Sequence, residues 1–205
     1  MQINRLLLDV DRVFYQSVID EMFVLCPDIM SRKITLANVQ QAFTLSEVVR
    51  IYKDNDKLLC VGAFEDSVSG SIQGMGIDVV DIDQDINYSL TDFRKITEEK
   101  FDIIFATSVI EHERNDEEFI ENVCHLLNPG GHGVLTLDFN NDYRIGTPLP
   151  QTVVRLYTDG DMVRLFGVLD RCGCAVVDEP DYSGEPDFIY QGHLYAFATL
   201  VFRKN

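Results

Sequence analysis

Residues 101–139 read FDIIFATSVIEHERNDEEFIENVCHLLNPGGHGVLTLDF, and this stretch decides the fold. It opens on an apolar run, FDIIFATSVI (101–110), with the length and β-branched content of a buried strand. A helical pattern follows over 116–127, where Phe119, Ile120, Val123, Leu126 and Leu127 form one stripe behind an N-cap at Asn115 or Asp116. Asn128-Pro129-Gly130-Gly131 stops the helix, and HGVLTLDF (132–139) reads as the next strand. Strand, helix and strand in this order make the crossover unit of a parallel sheet.

The same alternation extends in both directions. Upstream, KLLCVG (57–62) is a short buried strand, DSVSGSIQGMG (66–76) a glycine-weakened helix and IDVVDID (77–83) a second strand. Downstream, DGDMVRLFGVL (159–169) is helical, while CAVVDEP (174–180) and LYAFATLVFRK (194–204) are strands. One α/β domain over 1–205 is expected, with a Rossmann-like core at 57–205 and an N-terminal helical region at 1–56. In that region DRVFYQSVIDEMFVL places Val13, Phe14, Ser17, Val18, Glu21 and Met22 at helical spacing, and Pro27 breaks the pattern. TLSEVVRIYK then opens with Thr44 and Glu47 in capping-box spacing. The long loop at 178–193 suits a lid or specificity loop.

Composition narrows the function. A net charge of −17 with no Lys/Arg-rich run would repel a phosphate backbone, so nucleic acid is excluded and a neutral or cationic small molecule fits better. No apolar run approaches the roughly 18 residues needed to cross a bilayer, and Asp9 and Asp11 cut off the run at 6–8, so neither signal peptide nor membrane partner is expected. Five cysteines, an odd number mostly within apolar segments, favour reduced thiols and a cytoplasmic location. Cys172 and Cys174 lack a second Cys or His pair to complete a metal set, so packing is expected of them.

In an open parallel sheet, ligands bind beyond the carboxyl ends of the strands. Gly62, Asp83, Thr107 with Ser108, and Asp138 each end a predicted strand, so all should share one rim. Gly62 and Asp83 are 21 residues apart, close to the spacing at which an acid holds a ribose; Asp81, at 19, competes for that role, and Asp83 is favoured.

The run 101–139 resembles the second half of a class I S-adenosylmethionine-dependent methyltransferase of the type 11 kind. It carries Phe101-Asp102, Glu111-His112, Leu127-Asn128-Pro129-Gly130-Gly131 and Val134 to Asp138 in the family's order. The resemblance implies a Rossmann-like fold: a largely parallel seven-stranded sheet, an antiparallel last strand and helices on both faces. It also implies S-adenosylmethionine as the methyl donor. Gly62 matches the first glycine of the family's cofactor loop, with Ala63 beside it, but Phe64, Glu65 and Asp66 replace the later glycines. That loop disfavours a dinucleotide, whose pyrophosphate presses on the backbone; a donor without phosphate tolerates it, and Glu65 or Asp66 would pair with its ammonium. A nicotinamide-dependent dehydrogenase is therefore discouraged. A bulky arginine in place of Gly62 is expected to block the loop without unfolding the chain.

The link from Asp83 to Phe101 is too short for the family's usual helix plus strand, so NYSLTDF (87–93) is read as a minimal strand with Asp92 as the contact to adenine. Thr107 and Ser108 complete the expected cofactor set. His112 and His193 are the candidate bases, with Asp138 as helper or substrate contact, whereas His125 and His132 read as structural. Some members bind a divalent metal through E-x-x-E-H; here Ser108 takes the first place, and no metal is expected. Tyr143, Arg144, Arg155 and Tyr157 would contact a small polar acceptor such as a saccharide or other secondary metabolite. The alternative is a methyltransferase fold that serves as a binding module and has lost use of the donor.

Overall fold

The computed structural model describes residues 2–205. Its strands are β1 (Leu6–Leu7), β2 (Leu58–Val61), β3 (Val79–Ile82), β4 (Phe101–Thr107), β5 (Leu127–Phe139), β6 (Cys174–Val176), β7 (Phe188–Tyr190) and β8 (His193–Lys204). Its α-helices are α1 (Asp11–Leu25), α2 (Pro27–Met30), α3 (Asn38–Ile51), α4 (Ser67–Gly74), α5 (Leu90–Ile96), α6 (Asp116–Leu126) and α7 (Asp159–Arg171). The sheet runs β1-β8-β5-β4-β2-β3, with β6 and β7 also paired to β8. β3, β2, β4 and β5 are parallel, and β8 is antiparallel to β5 over His132–Phe139.

The apolar run of β4 is buried on both faces, as a central parallel strand requires. Phe101, Ile104 and Ala106 enter one core with α6 and α7, while Ile103 and Phe105 enter a second core with α1, α3 and α4. Among the described residues no helix is long and apolar enough to cross a membrane.

Several expectations are corrected. Among the described residues the sheet has eight strands: β1, from residues before α1, pairs Leu6 with Ala198 and Leu7 with Phe197, and β7, from the expected loop, joins β8. Residues 90–96 form helix α5 where a minimal strand was expected: Ser89 Oγ accepts from Asp92 N at 3.2 Å and caps it, and Leu90 and Phe93 pack into the α6 core. In α1 the buried face is Tyr15, Ile19 and Met22, leaving Val13 and Phe14 exposed. Both faces of α1 carry apolar residues, so spacing could not choose between them. The choice is tertiary: Tyr15 packs edge-on against Phe43 of α3 at 6.3 Å between ring centres, while Arg5 binds Asp11 at 2.7 Å at the start of the helix. Helix α3 begins at Asn38, six residues before the expected start at Thr44. Thr44 Oγ1 donates to Gln40 O at 3.0 Å within the helix, and Glu47 pairs with Arg50 at 2.6 Å, so neither caps.

The loop at 178–193 is tied down at its start. Asp178 accepts from Ile3 N and Asn4 N, and Tyr182 Oη donates to Thr199 O at 2.8 Å. Its end folds into β7.

Asp116 fastens α6 to its surroundings. Its buried carboxylate pairs with Arg155 at 2.8 Å and with Arg164 of α7 at 2.7 Å. Burial works to raise its pKa, but the bonds from Arg164 and the charges of both arginines outweigh it, and the net shift is downward. Asp116 thus stabilises the fold above the ordinary carboxylate range, and this is lost as pH falls through its depressed pKa. Asp116→Asn is expected to destabilise the protein by about 1–3 kcal/mol, since both partly exposed arginines lose their counter-charge. Urea titration at neutral pH checks this, and an unchanged midpoint would refute it.

Candidate functional site

The parallel strands end at one crevice of about 580 Å³, within the roughly 300–1,000 Å³ range of small-ligand sites. Gly62 follows β2, Asp83 follows β3, and Thr107 and Ser108 end β4; all four line it. Gly62 sits at φ +80°, and a Cβ there would lie 2.4 Å from Val109 Cγ2. The chain can turn so close to the β4 rim only without a side chain at that position. The turn is held by Gly62 N and Ala63 N, which donate to Ile82 O at 2.9 and 3.1 Å.

Asp66 closes the loop. Its Oδ1 accepts from Ser69 N at 2.7 Å, capping α4, while the residue also lines the crevice. Burial raises its pKa, partly opposed by the Ser69 bond and the Lys33 charge. Capping and a place in the crevice therefore coexist in one carboxylate. Glu65, by contrast, turns away: at φ +55° it pairs with Arg32 at 3.1 Å and lies outside the crevice. Ala63 packs toward the α3–α4 core and also lies outside it.

Asp83 and Asp81 separate clearly. Asp83 lines the crevice, its Oδ2 accepting from Phe64 N at 3.3 Å and its Oδ1 from Asp85 N at 2.8 Å. Asp81 is engaged by α4, through Ser69 Oγ at 2.6 Å and Gln73 Nε2 at 2.8 Å. Asp92 also lies outside; in the first turn of α5 it is exposed and bonded to Ser89 and Lys95. The neighbouring wall is instead Tyr88, Ser89 and Leu90.

On the other side, His112 lines the crevice, and its Nδ1 lies 3.0 Å from Thr152 O. A carbonyl only accepts, so Nδ1 donates and Nε2 of the neutral ring keeps its lone pair. His193 lies outside, at the base of the β7–β8 hairpin opposite Tyr190. Asp138 is buried behind the crevice beside Glu111. Tyr157 is wholly buried, and Arg155 is held by Asp116. Tyr143 and Arg144 line a separate surface depression.

Sequence reasoning missed Lys33, Gln41, Thr152 and Glu113, which line the crevice, and Glu111 behind it. Asn38, Gln40 and Gln41 are polar residues buried in the first turn of α3, beside buried Val39, Ala42 and Phe43. Lys33 and Thr152 come from connections whose path only the fold sets. Among the described residues no group of three His, Cys, Asp or Glu side chains could hold a metal ion.

Residues 72–135 match the family described as a methyltransferase domain. No curated protein sequence matches the chain. Solved structures with the same fold include the 1,6-didemethyltoxoflavin-N1-methyltransferase of Burkholderia thailandensis, with 1,6-didemethyltoxoflavin and S-adenosylhomocysteine bound. It is 15% identical, with TM-score 0.60, 94% of this chain and 90% of that chain covered. A S-adenosylmethionine-dependent methyltransferase from Methanosarcina mazei is 13% identical, with TM-score 0.56 and coverage of 77% and 96%. The [4+2]-cyclase SpnF is 14% identical, with TM-score 0.53 and coverage of 80% and 82%. The fold is that of the class I S-adenosylmethionine-dependent methyltransferases. The match to the methyltransferase-domain family covers residues 72–135, inside that fold.

Proposed function

We propose that this protein is a S-adenosylmethionine-dependent methyltransferase acting on a small polar acceptor, with the crevice beside Gly62 and Asp83 as its donor site. The observation that carries this reading is the convergence of Gly62, Asp83 and Thr107–Ser108, from three successive strand ends, on one cavity. The side chains suit a cationic donor without phosphate. Asp83 would accept from the ribose hydroxyls, and Asp66 and Lys33 would take the ammonium and carboxylate of the amino-acid end. Ile82, Leu90 and Val109 offer apolar surface to the base. Bound there, the donor supplies an electrophilic methyl carbon; because that carbon is already activated, the chain's task is mainly to position the acceptor. His112, with Nε2 unprotonated, would accept a proton from it.

Isothermal calorimetry with S-adenosylmethionine and S-adenosylhomocysteine tests the reading: saturable binding of both is expected. Silence for both would favour the binding-module alternative, which the loop without later glycines keeps in view. Asp83→Ala is expected to weaken S-adenosylhomocysteine binding by about 1–3 kcal/mol, through lost hydrogen bonds to a charged group. Asp81→Ala, which breaks contacts to α4, is expected to leave it nearly unchanged. Equal losses in the two variants would move the donor away from Asp83.

A further inference from the structure

The wall of the crevice formed by Gln41, Thr107 and Ser108 covers a buried polar layer that the donor reading does not use. It lies where β4 and β5 end under the first turn of α3. Thr136 and Asp138 project from β5 to the same face, and Asp138 pairs in register with Phe197 of β8. Gln40 Oε1 accepts from Ser108 Oγ at 2.7 Å and from Thr136 Oγ1 at 3.0 Å. Glu111, 0% exposed, lies against Asp138, 4% exposed, and both contact Ser108. The single Ser108 proton is committed to Gln40, so neither Glu111 oxygen receives a hydrogen bond from an N–H or hydroxyl.

Five unsatisfied buried oxygens come from this layer, its wall and the first turn of α3 above it. Asn38 Oδ1, Gln41 Oε1, Thr107 Oγ1 and both oxygens of Glu111 lack partners, and each is an oxygen with lone pairs. Gln41 is 7% and Thr107 9% exposed, and both line the crevice. A buried polar group without a partner is destabilising, so a cluster of them is retained where a ligand completes it. Of these atoms only Thr107 Oγ1 can also donate, so the Glu111 carboxyl oxygens are left to an outside donor. Aromatic rings adjoin it: Phe188 lies 5.0 Å from Tyr195 and 4.9 Å from Phe197, centroid to centroid, and Phe197 is the strand neighbour of Asp138. Carboxyls beside ring faces make a surface for an alkylammonium group.

We infer that the acceptor is an amine, bound through its ammonium to Glu111 and Asp138 from the Gln41–Thr107–Ser108 wall. This rests on the methyltransferase reading of the same crevice and narrows it, since an ammonium brings positive charge to the buried acids and a neutral polyol such as a saccharide does not. The way in is the strap between β5 and α7. It is fastened near the pair by Thr152 O to His112 Nδ1, Val154 N to Glu111 O at 2.9 Å, and Gln151 N to Gln191 Oε1 at 2.8 Å. Further along, the strap is also held by Arg155 to Asp116 at 2.8 Å and by Tyr157 N to Asp138 O at 2.8 Å, so the way in lies at its 151–154 end.

The test is binding of benzylamine and propylamine against benzyl alcohol and 1-propanol. Calorimetry and saturation-transfer NMR would be run on the full chain with and without saturating S-adenosylhomocysteine. Both amines are expected to bind at least about tenfold tighter than their matched alcohols. Glu111→Gln and Asp138→Asn are expected to remove most of that preference while leaving S-adenosylhomocysteine affinity and circular dichroism unchanged. Alcohols binding as tightly as amines, no binding of either class, or an amine preference that survives in both variants would overturn the inference. Failure of S-adenosylhomocysteine itself to bind would instead remove the donor reading, and the arm without it would still decide the amine question.

Discussion

Asp138→Asn is expected to make the protein more stable, by about 1–3 kcal/mol at neutral to mildly alkaline pH, while impairing acceptor binding. Burial raises the pKa of Asp138 well above the ordinary carboxylate value, the charge of Glu111 raises it further, and Ser108 opposes only in part. Glu111 is likewise raised by burial, against the opposing charge of His112. Two buried carboxyls in contact cannot both ionise, so the folded pair holds a proton that the unfolded chain would release. Between the ordinary carboxylate pKa and the raised one, the native state therefore binds more protons than the unfolded state. Stability is full below that window and falls as pH rises through it. Asparagine keeps the shape, can donate a hydrogen bond to Glu111, and does not titrate. Urea unfolding of wild type and variant at pH 5 and pH 8 should show the larger gain for Asp138→Asn at the higher pH. A variant less stable than wild type at both, with the same dependence on pH, would show that the pair is not strained.

Gly62→Ala is expected to act in the opposite direction and to remove donor binding as well. The backbone at φ +80° disfavours any side chain, and the added methyl would lie 2.4 Å from Val109 Cγ2. Left-handed strain and overpacking together suggest a loss of about 2–4 kcal/mol. Val109 lines the crevice, so the displacement that relieves the clash also reshapes the site. S-adenosylhomocysteine affinity should fall more than about tenfold. This corrects the expectation that a larger residue at Gly62 would block the crevice and spare the fold, since even one methyl group meets β4's rim. Adding Val109→Ala should recover part of the lost stability. No recovery would place the damage in the backbone turn alone, and a wild-type melting curve for Gly62→Ala would refute both causes.

The parallel half of the sheet was legible in the chain because its strands are short, mostly apolar runs bounded by turn residues. Residues 58–61, 79–82 and 101–107 form strands inside the segments read for them. Helix α6 was legible as well, since its apolar stripe is one-sided and Asn115 caps it by accepting from Glu118 N at 3.2 Å. The crevice followed from the rule that ligands sit at strand ends, which brought Gly62, Asp83, Thr107, Ser108 and His112 to one rim. The choice among nearby acids did not follow. Asp81 and Asp83 differ only in whether α4 captures the carboxylate, and Glu65 and Asp66 only in a backbone turn that sends one outward to Arg32.

What the sequence by itself determined is the period of each segment and hence the alternating α/β order with its strand-end rim. Burial on two faces writes a continuous apolar run, and burial on one face of a helix writes a stripe. Which face of α1 turns inward, that residues 6–7 join the sheet, and that Glu111 meets Asp138 were decided only by tertiary structure. These depend on partners far apart in the chain, Tyr15 beside Phe43, Leu6 beside Ala198 and the end of β4 beside the end of β5, and no local period records which distant group a side chain will meet.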